Sequence, residues 1–70
     1  MKLNKSKILL IMASKQMTQQ SISKTYGVSS RRISNIINAS NVRPVTAGKL
    51  AKALGVNVTD ILEVDEDESD

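Results

Sequence analysis

Residues Met17–Asn38, MTQQSISKTYGVSSRRISNIIN, decide the fold. Thr18 is a good N-cap, because its hydroxyl can accept an amide left unpaired in a first helical turn, and it predicts a helix from Gln19 to about Thr25. Gly27 ends that helix, since glycine tolerates the left-handed conformation a tight turn requires. Ser29 then caps a second helix over about 30–38, with Ile33, Ile36 and Ile37 on one face.

Working outward, residues 4–15 place Ile8, Ile11 and Met12 at helical spacing among lysines. Leu9 and Leu10 widen that apolar face, so this helix is expected to be central. Ser40 to Pro44 reads as a loop, because a proline disfavours helical geometry at the residue before it, Arg43. A fourth helix is expected over about 46–54, with Ala47, Leu50, Ala51 and Leu54 on one side and Gly55 as its stop. Asn57 can cap a last short helix through about Glu63, with Asp60 placed as in a capping box. No strand signal competes. The sequence predicts an all-α, five-helix domain over residues 1–63 and a disordered acidic tail over residues 64–70, which are too polar to pack.

Composition narrows the chemistry. The chain has 70 residues, enough for one small domain, and its 40% hydrophobic and 24% charged residues are those of a globular protein. It contains no cysteine, histidine, tryptophan or phenylalanine, and Tyr26 is its one aromatic residue. Thiol nucleophiles, disulfides, imidazole bases and the usual zinc sites are therefore excluded. The carboxylates lie in or beside the tail, and no phosphate-binding loop is present, so an enzyme is the poorest fit. No cofactor and no small-molecule ligand is implied. The opening MKLNKSKILLIMASK superficially suggests a signal peptide. Its apolar run, Ile8 to Ala13, is too short for one and far too short for a membrane span, so the cytoplasm is the expected location.

Charge is partitioned along the chain. All ten basic residues fall between Lys2 and Lys52, and all seven acids fall in the last eleven residues, from Asp60 onward. A basic body with no acid repels itself unless an anion is its partner, and nucleic acid is the leading candidate.

Two short helices joined by a four-residue turn with a glycine make a helix-turn-helix arrangement. The stretch 17–38 resembles that element in the Cro and phage-repressor type regulators, the lambda-repressor-like domains. Gln19 opens the first helix, Ile22 and Ser23 sit where that family places an aliphatic then a small residue, Gly27-Val28 form the turn, and Ile33 and Ile36 are the buried residues of the second helix. The resemblance continues through Arg43-Pro44 and KLAKALGVNVTDIL, covering roughly residues 5–63. Two departures stand out. The family often pairs an Arg on its first helix with a Glu ending its third, where this chain has Met12 and Ile37, an apolar replacement of both partners that leaves no charge buried alone. The family's Asn-Gly after that Glu is Asn38-Ala39 here, which puts the path of the following loop in question.

Arg31, Ser34, Asn35 and Asn38 recur at i, i+3, i+4 and i+7, a polar stripe opposite the three isoleucines. The second helix of such a motif lies in the major groove of double-stranded DNA with its N-terminal residues at the base edges. Ser29, Ser30, Arg31, Ser34 and Asn35 are then the candidate base readers, Arg suiting guanine and Asn suiting adenine. The family resemblance assigns principal base contacts to Ser30, Arg31 and Asn35. Phosphate contacts are expected from Gln19, at a helix N-terminus that favours an anion, and from Arg32 beside the stripe. By resemblance, Asn38 and Arg43 join them. Lys2, Lys5 and Lys7 are candidates for a basic arm, whereas Lys15, Lys24, Lys49 and Lys52 fit a solvated surface equally well.

One reading helix spans few base pairs, so a homodimer is expected, built around Val56, Val58, Ile61 and Leu62 unless these are intramolecular core. The tail admits three readings: a solvated terminus, a competitor for the basic face, or the start of a linker. The leading function is a Cro-like repressor of phage or mobile-element origin. The alternatives are an antitoxin-like protein-binding module and a non-specific architectural protein.

Overall fold

The computed structural model describes residues 1–39 and 41–63. The expected tail, 64–70, and Ser40 of the expected loop lie outside the described residues. Four helices form: α1 Lys5–Lys15, α2 Gln19–Tyr26, α3 Ser30–Asn38 and α4 Pro44–Leu54. Local chemistry accounts for most of their ends. The Asn4 side chain accepts the Lys7 amide (3.1 Å), the Thr18 hydroxyl accepts the Ser21 amide (3.1 Å), and the Ser29 hydroxyl accepts the Arg32 amide (3.2 Å). Gly27 and Gly55 close α2 and α4 at φ of +94° and +75°.

The fourth helix starts at Pro44, not at 46. Arg43 is extended, as a residue before proline prefers, and Pro44 occupies the first helical position, where its missing N–H is no loss. Ala39 leaves α3 in an extended conformation (φ −70°, ψ 139°), which accounts for the missing glycine: no left-handed residue is needed there.

The fifth helix expected over 57–63 is replaced by a single 3₁₀ turn, Val58–Asp60. Asp60 still accepts the Asn57 amide through its carboxylate (3.1 Å), as the capping pattern suggested. A segment this short cannot nucleate a helix unaided, and tertiary bonds take its backbone instead. The Asn4 amide donates to the Ile61 carbonyl (2.8 Å) and the Glu63 amide to the Lys2 carbonyl (2.9 Å), around an antiparallel bridge between Leu3 and Leu62. On its other side the first residue pairs with the α3–α4 loop. The Met1 ammonium donates to the Val42 carbonyl and the Val42 amide to the Met1 carbonyl, both at 2.8 Å. The N-terminus is therefore a tether and not a free basic arm: Lys5 and Lys7 belong to α1, and Lys7 donates to the Leu62 carbonyl (3.4 Å).

α2 packs on α3 and α4, α1 packs on α3, and the 3₁₀ turn packs on α4. Ile8, Ile22, Ile33, Leu50, Leu54 and Ile61 are fully buried at the centre, and Met12 and Ile37 lie in the same core as an apolar pair of positions. Leu9 and Leu10 do not widen the buried face of α1. They are 48% and 66% exposed, because a continuous apolar run turns 100° per residue and only part of it can meet the core. Ser23, the small residue expected where α2 and α3 cross, is buried, and its hydroxyl donates to the Gln20 carbonyl (2.7 Å). Ile61 is also core, and Val56, Val58 and Leu62 are half-buried against it, so the set proposed for a dimer surface is mainly intramolecular.

Candidate nucleic-acid interface

α3 separates its two faces sharply. Ile33, Ile36 and Ile37 are buried, whereas Arg31, Arg32, Asn35 and Asn38 are exposed and Ser30 and Ser34 half-exposed. Those six residues share the helix surface turned from the core, so the stripe read from their spacing is continuous in three dimensions. Asn38 donates weakly to the Ser34 hydroxyl (3.4 Å), which orders the C-terminal end of the stripe. Ser29 stands apart: its oxygen is engaged in capping α3, leaving its hydroxyl proton and one further lone pair to offer a ligand.

The remaining candidates border this surface. Arg43 is exposed at the start of α4, and a groove of about 510 Å³ runs between the two helices, lined by Arg32, Asn35, Asn41, Arg43 and Thr46. Gln19 is half-buried at the first position of α2. The capping exchange between Thr18 and Ser21 satisfies both of those residues' amides but not those of Gln19 and Gln20, which keep no partner among the described residues. Donors of this kind suit an anion. No acid lies among the stripe or its borders; the only acids in the described residues, Asp60 and Glu63, come after α4 in the chain.

Two features went unread in the sequence. The pinning of Met1 to Val42 brings the terminal ammonium to the residue before Arg43, through contacts separated by about forty positions that no local pattern signals. Lys15, one of the four lysines that fit a solvated surface equally well, donates from Nζ to the Leu54 and Gly55 carbonyls (2.8 and 3.1 Å), the unpaired end of α4. Its spacing from them in sequence likewise gives no hint.

No helix of the described residues is long and apolar enough to cross a membrane. A family model, that of the Cro/C1-type HTH DNA-binding domain, matches residues 7–67. Comparison with curated proteins and with solved structures gave no significant match. With the match covering most of its length and the two capped helices of the motif in place, the chain belongs to the Cro/C1-type helix-turn-helix DNA-binding family.

Proposed function

We propose that this DNA-binding regulator is a sequence-specific repressor of the Cro kind, from a phage or mobile element, that acts in the cytoplasm as a homodimer. Residues 1–63 form its DNA-binding domain. α3 enters the major groove; Arg31 and Asn35 make the discriminating base contacts, Ser29, Ser30 and Ser34 the adaptable ones. Gln19, Arg32, Asn38 and Arg43 hold the phosphates on either side. The observation that carries this reading is the acid-free, exposed Arg/Asn/Ser stripe on a helix whose other face is wholly core. A merely solvated face would more often mix Glu with Lys. Repression follows from occupying an operator and blocking polymerase.

Selection of bound duplexes from a random pool at physiological salt tests the reading. A palindrome with half-sites about 10 base pairs apart is expected, the spacing at which two identical helices meet one face of the duplex. Salt-sensitive retention with no enriched sequence would overturn specificity in favour of an architectural role. Absence of retention would overturn DNA binding by the chain alone and favour the antitoxin-like module.

A further inference from the structure

The side of α1 turned from the core opens onto a second surface. Leu10 is 66% exposed, and Ile11 and Val56 are only half-buried. These three aliphatic side chains line a groove of about 370 Å³ together with Lys7 and Asp60. α1 forms one wall, with Lys7, Leu10 and Ile11; the segment from Val56 to the 3₁₀ turn forms the other, ending at Asp60. The two walls therefore carry opposite charges beside an apolar lining. None of the five residues belongs to the α3 stripe or to its border. An exposed leucine beside two half-covered aliphatic residues leaves in water an apolar surface that association removes.

We propose that this groove is the surface through which a second copy of the chain docks, about a two-fold axis running along it. Charge selects the occupant. The described residues carry ten basic side chains and two acids, Asp60 and Glu63, so most contacts between two copies bring like charges together. Neither the groove between α3 and α4 nor the one formed by Tyr26, Lys49 and Lys52 has an acid in its lining. The α1 groove has one, and it is self-complementary. A two-fold axis along it lays the α1 wall of each copy over the turn wall of the other. Lys7 of each copy then faces Asp60 of the other, and the aliphatic side chains close together. Both charges have capacity left. Lys7 makes one long bond, to the Leu62 carbonyl (3.4 Å), and Asp60 gives one carboxylate oxygen to the Asn57 amide and keeps the second. Five residues are far fewer than the roughly 20–30 a side of a stable interface. The free protein therefore associates weakly, with a dissociation constant of order 100 μM, and two adjacent half-sites supply the missing concentration.

The docking rests on the homodimer reading only where DNA is concerned, and it is tested without DNA. In a dimer of the Lys7→Glu variant two acids face each other at each end of the groove; in one of Asp60→Lys, two lysines do. Mixed one to one, the variants pair Lys with Asp at one end and Glu with Lys at the other. Sedimentation equilibrium of the free full-length chain at low salt is expected to show a weak dimer. Either variant alone should associate about tenfold more weakly, and the mixture should return close to the wild-type level. Recovery on mixing does not come from repair of a damaged fold, because each chain keeps its own substitution. Leu10→Ser should also weaken association about tenfold. Leu9→Ser removes an exposed leucine that does not line the groove and should leave association unchanged. A wild-type chain still monomeric at about 1 mM would overturn the proposal. So would a mixture that associates no better than either variant, or equal effects of the two leucine substitutions. A chain that dimerises in this way yet retains no duplex would leave the docking standing and sink the DNA reading instead.

Discussion

Arg31 and Arg43 carry the same charge and are both exposed, yet their settings differ in what a substitution would report. Arg31 lies on the first turn of α3, where a guanidinium can meet a guanine edge through two hydrogen bonds. Arg43 precedes α4 at the border of the groove, with the backbone of Val42 fixed by Met1. Arg31→Ala or Asn35→Ala is expected to cost about 1–3 kcal/mol of specific binding and to relax preference at one base position each. Arg43→Ala should weaken binding to all duplexes evenly and reduce the slope of log K against log salt by about one. Binding isotherms on a panel of single-base variants at several salt concentrations separate the two. Identical behaviour would show that reading and positioning residues have been misassigned. That Arg31 and Asn35 share the exposed face of α3 was legible from spacing alone, because a helix surface follows from periodicity. The capping engagement of Ser29 was legible too.

Helix ends show where local chemistry suffices and where it does not. Thr18, Gly27, Ser29 and Gly55 act within three or four residues, and the sequence marks all of them. α1 ends without such a mark: Gln16 sits in the left-handed region at φ +55°, with the Met17 amide donating back to the Met12 carbonyl (2.8 Å). A side chain in that region costs about 1 kcal/mol relative to glycine. Gln16→Gly is therefore expected to stabilise the protein by about 0.5–1 kcal/mol, measured by chemical denaturation; a loss of stability would mean that Gln16 makes a compensating contact. The end of α4 is more elaborate. A methyl group added at Gly55 would lie 2.9 Å from Lys15 Nζ, whereas one at Gly27 meets nothing within 4 Å. Gly27→Ala should thus cost only the conformational term, about 1–2 kcal/mol. Gly55→Ala should cost more, because it also pushes the Lys15 ammonium from the carbonyls it caps. In a Lys15→Ala background that excess should vanish, a non-additivity visible in a double-mutant cycle. Simple additivity would show that the lysine tip swings aside freely.

At the scale of the molecule, the arrangement of the four helices was readable and the closure of the two termini was not. α1, α3 and α4 announce themselves through apolar faces of period 3.6 and α2 through its caps, and their packing buries the apolar residues of all four together. The last turn and the first residues obey a different logic. Leu3, Asn4, Ile61 and Glu63 are stitched by contacts nearly sixty positions apart, and a single bridge leaves no alternating pattern to recognise. Yet this stitching decides which residues count as core: Leu3 is 5% exposed and Ile61 fully buried, so the domain begins at the first residues instead of at α1. Removing the Leu3 side chain opens a cavity beneath Leu62 and loosens the register that holds Met1 against Val42. Leu3→Ala is accordingly expected to cost about 2–4 kcal/mol of folding stability, a large share of the margin of so small a domain. It should also weaken DNA binding evenly across sequences, because the Arg43 edge loses its backing while the α3 stripe keeps its own core. Denaturation and binding measured on the same variant separate this from a free terminal arm. An arm would lose affinity on truncation with stability unchanged, and that outcome would refute the tether.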